Sequence, residues 1–199
     1  MRIKIYIEGG GETPDQNDLF REAWSTFFSK AGLSGKMVRP IRGKGRARTY
    51  DLFCQAVATR RRDELILLLV DSEDLPQAGH TPWQHLKARK ADGWEMPKGA
   101  TGSDAFLMIA SMETWLVADR ASLKRFFPQL IDKHLPKWPA LEKVTKKAVF
   151  DALDKATARC DKPYAKGMVS FDLLKAADPK VVEAACPAAK RFLDRLRKL

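Results

Sequence analysis

The run Leu65-Ile66-Leu67-Leu68-Leu69-Val70 constrains this chain more than any other feature. Six consecutive branched apolar residues lie between Arg60-Arg61-Arg62-Asp63-Glu64 and Asp71-Ser72-Glu73-Asp74. A strand with one wet face would alternate apolar with polar, so this run fits a strand buried on both faces of a parallel sheet, with helices on each side. Membrane spans need roughly 20 apolar residues. The other long apolar run, Ala105 to Ala110, is no longer than this one, so no transmembrane helix is expected.

Neighbouring segments fit the same architecture. Residues 2–7 alternate and run into Gly9-Gly10-Gly11, a strand and a tight turn. Leu19, Phe20, Ala23, Trp24, Phe27, Phe28 and Ala31 recur at helical spacing and stop at Gly32. A second strand is expected over 37–41, a second helix over 49–61, and a fourth strand over 105–111 leading into a helical stretch that ends near Phe127. Further helices are expected at about 147–158, 171–176 and 179–199, the last broken at Pro187. Residues 74–103, rich in Pro, Gly, Trp and Lys, read as a long insertion with a short helix near 82–89, and loops of that length tend to carry function. The expectation is a single α/β domain over 1–199: an open, mostly parallel sheet flanked by helices over about 1–127, then a helical C-terminal third over about 128–199.

Charge adds a constraint on partners. Lys and Arg number 36 against 25 Asp and Glu, a net charge of +11. The surplus is concentrated between Lys36 and Arg62, where Lys36, Arg39, Arg42, Lys44, Arg46, Arg48, Arg60, Arg61 and Arg62 face a single acid, Asp51. Cations interleaved with glycine, as in Arg42-Gly43-Lys44-Gly45-Arg46, suit a flexible loop that meets a polyanion, with Arg42, Lys44, Arg46, Arg48, Arg60, Arg61 and Arg62 as candidate nucleic-acid contacts. The C-terminal cations Lys190, Arg191, Arg195, Arg197 and Lys198 lie opposite Ala189, Phe192, Leu193 and Leu196, the ordinary solvated face of a packing helix. Cys54, Cys160 and Cys186 are few and scattered, as expected of free thiols, and His80, His85 and His134 lack zinc-ligand spacing. With no apolar leader at the N-terminus either, the chain reads as cytoplasmic.

Three expected strands end in acids. Glu8 closes the first, Asp71-Ser72-Glu73-Asp74 closes the third, and Glu113 follows the fourth. Ligands of parallel α/β sheets bind beyond the carboxyl ends of the strands. In an extended chain Asp71 and Glu73 point the same way. Singly, each acid is most simply a strand returning to solvent. Together, Glu8, Asp71, Glu73 and Glu113 would repel one another without a cation between them, and hard oxygen ligands of this kind select Mg²⁺ or Mn²⁺. Metal-holding carboxylates on a basic protein match the needs of metal-assisted phosphoryl transfer. The turn Gly9-Gly10-Gly11-Glu12-Thr13-Pro14 has neither the lysine of a P-loop nor the third glycine of a dinucleotide fingerprint, and no GxSxG motif occurs.

The motifs Ile7-Glu8-Gly9-Gly10-Gly11-Glu12-Thr13, Val70-Asp71-Ser72-Glu73-Asp74 and Met112-Glu113-Thr114-Trp115 resemble the Toprim catalytic core of topoisomerases, primases and overcoming-lysogenization-defect (OLD) nucleases. More closely, the chain resembles a bacterial domain-of-unknown-function family of Toprim-like proteins found beside AAA-type ATPases in phage-defence loci. That resemblance extends over nearly the whole length and includes Pro82-Trp83-Gln84-His85-Leu86-Lys87 and Lys166-Gly167-Met168-Val169-Ser170-Phe171. It implies a Toprim-like fold in which Glu8, Asp71 and Glu73 bind metal or act as acid and base. It also implies that Glu113 is an additional ligand and that Lys166 meets the scissile phosphate. Asp-Ser-Glu stands where Toprim enzymes carry Asp-x-Asp, which keeps the charge and lengthens one ligand.

The function expected from these readings is a metal-dependent nuclease using Mg²⁺ or Mn²⁺, acting on DNA or RNA as an antiviral effector with an AAA-type ATPase. The alternative is a non-catalytic nucleic-acid-binding or sensor subunit of such a complex. Topoisomerase and primase activities normally need further domains than 199 residues supply. Oligomeric state is left open.

Overall fold

A computed structural model describes residues 1–9 and 14–199, so most of the expected glycine turn, Gly10 to Thr13, lies outside the described residues. Four strands, β1 (Arg2–Ile7), β2 (Met37–Arg42), β3 (Glu64–Asp71) and β4 (Ala105–Met108), form one all-parallel sheet in the order β2-β1-β3-β4. The apolar hexamer occupies the inner strand β3, as its lack of alternation requires. Leu65, Leu67 and Leu69 enter one core with Ile3, Ile5 and Ile7, while Ile66, Leu68 and Val70 enter a second core on the opposite face. Pro40, which cannot donate to a ladder, sits in the edge strand β2.

Helix α1 (Pro14–Phe28) places Phe20, Ala23, Trp24 and Phe27 in the first core. The second core is closed by α2 (Arg46–Ala58) through Phe53 and Val57, and by α3 (Pro82–Ala88) through Trp83 and Leu86. Thr81 and Gln84 make a reciprocal capping box at the start of α3, with Pro82 in the first turn. The later helices are α4 (Glu113–Ala118), α5 (Arg120–Phe126), α6 (Lys146–Thr157), α7 (Met168–Ala176), α8 (Pro179–Ala185) and α9 (Pro187–Arg197). They bury Val149, Leu153, Phe171, Leu174, Phe192 and Leu196 in the α1-side core, so the helical third is a wall of that core.

Two expected elements are shorter in the structure. Strand β4 stops at Met108, because the backbone turns at Ala110 with φ +62°. The stretch expected to be one helix from Met112 to Phe127 is broken at Asp119, whose carboxylate caps Ser122 N at 3.0 Å and also accepts from Asp178 N at 2.9 Å. Among the described residues no helix is long and apolar enough to cross a membrane.

The strand order also fixes where a ligand can sit. From β1 the chain goes outward to β2, then crosses to the other side of β1 to form β3. That reversal opens a crevice beyond the carboxyl ends of β1 and β3.

Candidate metal centre

Register and turns bring the acids to this crevice. Ile7 pairs with Leu69, so Glu8 emerges beside the end of β3, and its Oε2 accepts from Asp71 N at 3.3 Å. Asp71 ends β3 and uses Oδ1 to accept from Met112 N at 2.9 Å, which fastens the approach to α4. Glu73 reaches the crevice through a left-handed backbone, φ +64°, and not through the extended alternation expected from sequence. Glu73 N donates to Ala110 O at 3.0 Å, and Ser72 Oγ accepts from Ala110 N at 2.8 Å. Two non-glycine residues with positive φ, Glu73 and Ala110, are therefore bonded directly to each other beyond the ends of β3 and β4, an unfavourable conformation that these bonds hold in place.

Ligand oxygens of Glu8, Asp71 and Glu73 lie within 4.8 Å of one another. Glu113, the first residue of α4, is 1% exposed. Its Oε1 accepts from Tyr164 Oη at 2.7 Å, and its Oε2 is buried with no hydrogen-bond partner. Glu113 shares with Glu8 and Asp71 a cleft of about 380 Å³, also lined by Lys166, Ser170 and Phe171.

Two cations answer the acids, and their anchoring differs. Arg46 opens α2 after a turn made by Lys44 (φ +58°) and Gly45 (φ +129°). Its Nη1 donates to Glu8 Oε2 and to Asp71 O, each at 2.7 Å. Its Nε and Nη2 grip Asp92 at 2.8 and 2.6 Å, and its guanidinium lies 4.9 Å from the ring centre of Trp94. Trp94 stacks on Tyr50 of α2 at 4.5 Å. Lys146, at the start of α6, places Nζ 2.7 Å from Glu73 Oε1 and 3.3 Å from Asp71 Oδ2.

Burial, followed by the charges of Glu8 and Glu113, pushes the Asp71 carboxyl up to about 7 even with Lys146 and Lys166 opposing it. Burial also raises Glu8, the Arg46 ion pair offsetting only part of the effect. At Asp92 burial acts against the charge, but hydrogen bonds from Arg46 and Arg89 prevail and hold its carboxyl below the usual range.

The donor set fits a hard divalent ion. Every clustered ligand atom is a carboxylate oxygen, which suits Mg²⁺ or Mn²⁺. Glu113 stands outside that set of three, but its buried, unpartnered Oε2 lines the cleft that Glu8 and Asp71 share, and a buried carboxylate oxygen of this kind is costly without a cation or donor. No histidine joins this set among the described residues, and His85 Nε2 donates to Ser72 O at 2.8 Å.

The basic segment divides. Lys44, Arg48, Arg60, Arg61 and Arg62 are exposed. Arg60 also donates to Gly99 O at 3.2 Å. Arg42 reaches Asn17 Oδ1 at 3.0 Å and packs over Phe171. Arg46, expected to face a polyanion, is turned inward onto Glu8, Asp71 and Asp92. The loop expected to be flexible is instead a close turn: a methyl group at Gly43 would overlap Thr49 Oγ1 and lie 2.6 Å from Thr49 Cα. Lys166 is exposed at the cleft with Nζ 5.7 Å from the ring centre of Phe150.

Sequence reasoning missed Asp92, Trp94, Lys146 and Tyr164. None stands near an acidic motif in the chain, and only the length of the 74–103 insertion hinted at a role for the first two.

Fold and site together define an open parallel α/β domain with a carboxylate cluster, able to hold a metal ion, at its topological switch point. Residues 7–197 match the family described as a domain of unknown function, DUF4276, and the chain belongs to that family. No curated protein and no solved structure matches it.

Proposed function

We propose that this protein is a metal-dependent nuclease that hydrolyses phosphodiester bonds of DNA or RNA, as the resemblance to the Toprim core implies. The observation that carries the reading is the convergence of Glu8, Asp71 and Glu73 in one crevice, with the buried, unpartnered Glu113 Oε2 lining the cleft that Glu8 and Asp71 share. Asp71, Glu73 and Glu113 would hold Mg²⁺ or Mn²⁺, with Glu8 as a further ligand or as the general base. A divalent ion bound there supplies Lewis-acid charge to a phosphodiester and acidifies water.

The chain's own residues account for the remaining roles. Glu8, its carboxyl raised by burial, is a better proton acceptor than an ordinary carboxylate, and Arg46 keeps its Oε2 oriented. Lys166 stands at the cleft to meet charge developing on the phosphate. Exposed Lys44, Arg48, Arg60, Arg61 and Arg62 would carry the nucleic-acid backbone. An antiviral role with an AAA-type ATPase partner follows from the resemblance alone.

One observation favours a second reading, a non-catalytic binding or sensor subunit: each of the three clustered carboxylates already has an internal cation, Arg46 or Lys146. The two readings separate in one experiment. Purified protein with Mn²⁺ or Mg²⁺ is incubated with plasmid, single-stranded DNA and tRNA beside Glu8→Ala and Asp71→Ala. Cleavage lost in both variants and in chelator supports the nuclease. Binding without cleavage, unchanged in both variants, supports the binding subunit and refutes the nuclease.

A further inference from the structure

Arg46 and Lys146 neutralise the same cluster but differ in how they are held. All three guanidinium nitrogens of Arg46 are engaged, two by the buried Asp92, and Trp94 covers the group. Asp92 is gripped in turn by Arg89, which also reaches Asp74 Oδ2 at 3.0 Å. Arg46 is thus built into the wall of the site. Lys146 has no such framework: among the described residues its ammonium bonds Asp71 and Glu73 and nothing else. It extends on a flexible four-carbon stem from the first residue of α6, where the helix dipole disfavours a positive charge. Only the acids keep it there.

The position of the ammonium is equally specific. It lies within 3.3 Å of oxygens on both Asp71 and Glu73, in the space between two of the three clustered carboxylates. A divalent ion shared by those carboxylates needs that space, and its charge repels the ammonium. Nothing comparable holds for Lys166, whose Nζ lies over Phe150 and, among the described residues, makes no ion pair with Asp71 or Glu73.

We infer that Lys146 is the resident cation of the metal-free centre, and that a divalent ion binds by displacing it from Asp71 and Glu73. The inference rests on the metal-centre reading above and adds the event that controls loading. At low metal concentration the lysine closes the site and keeps the acid cluster folded. When metal binds, the ammonium is released at the edge of the cleft. Metal affinity is accordingly lower than three or four carboxylates would give in the absence of Lys146.

Two measurements on the full chain test this, both without nucleic acid. Isothermal titration with Mn²⁺ alone compares wild type with Lys146→Met: the variant binds at least tenfold more tightly, and Lys146→Arg stays near wild type. The second measurement needs no variant. Reductive methylation with peptide mapping reads Lys146 in wild type with and without Mn²⁺, with the adjacent exposed Lys147 as internal control. Lys146 modification rises severalfold with Mn²⁺ while that of Lys147 stays constant. Equal or weaker Mn²⁺ binding by Lys146→Met, or Lys146 labelling indifferent to Mn²⁺ in a protein that binds it, overturns the exchange and leaves the metal centre standing. Absence of Mn²⁺ binding to both proteins removes the metal centre itself, and the exchange with it.

Discussion

Replacing Asp71 by Asn in the metal-free protein isolates the electrostatic cost of the acid cluster. Asn keeps an oxygen for the Met112 N hydrogen bond but removes the charge that burial, Glu8 and Glu113 oppose. The folded-state value of about 7 lies above the reference value of 3.8, so the folded protein holds the Asp71 proton more tightly than the unfolded chain does. The sign follows by linkage: Asp71 takes nothing from stability below pH 3.8, an increasing amount as pH rises toward about 7, and a constant amount above. At about 1.4 kcal/mol per pH unit the full penalty is on the order of 4 kcal/mol, and relaxation of Lys146 and Glu8 brings it to about 2–4 kcal/mol. Each kcal/mol shifts the Tm of a chain this size by about 2–4 °C. In chelator at pH 8, Asp71→Asn therefore melts at least about 4 °C above wild type, and the gap narrows toward pH 4. Thermal melts by circular dichroism at pH 4.5, 6 and 8 read this directly. A variant that melts at or below wild type at pH 8, or a gap that does not change with pH, would refute the reasoning. Added Mn²⁺ should raise wild type more than the variant.

Asp92→Ala leaves Arg46 and Arg89 without their shared buried partner and should lower stability by about 3–5 kcal/mol in urea titrations, with Arg46→Lys, which cannot make the two-pronged contact, only partly milder. Gly43→Ala forces a methyl into Thr49 and should cost about 1–3 kcal/mol or more, while adjacent Lys44→Ala should be nearly neutral in the same melts. Tyr164→Phe strips the donor from Glu113 Oε1, leaving both oxygens of that buried carboxylate unpartnered. It should destabilise the metal-free chain by about 1–3 kcal/mol by urea titration, and any Mn²⁺-dependent cleavage should fall with it.

Burial on both faces of β3 was legible because continuous branched apolar sequence has few other stable outcomes in water. The same patterning gave the α1 stripe, and the acids at the ends of β1 and β3 could be read as candidates since strand ends are local features. The reason Glu73 joins Asp71 was not legible: alternation predicted it, but the chain achieves it through a left-handed turn tied to Ala110. Nor did local sequence reveal that Asp119 would split a helix by bonding Ser122 and the distant Asp178.

The sequence by itself determined the class of fold, the two-sided core, the excess of positive charge and which carboxylates could meet, because hydrophobic period and residue chemistry act over a few neighbouring positions. Only the tertiary structure decided which cations serve those carboxylates. Arg46 is drawn inward by Asp92 and Trp94, 46 and 48 positions away, and Lys146 arrives from 73 and 75 positions beyond Glu73 and Asp71. Ion pairing depends on distance and burial in the folded chain, and separation along the sequence carries neither.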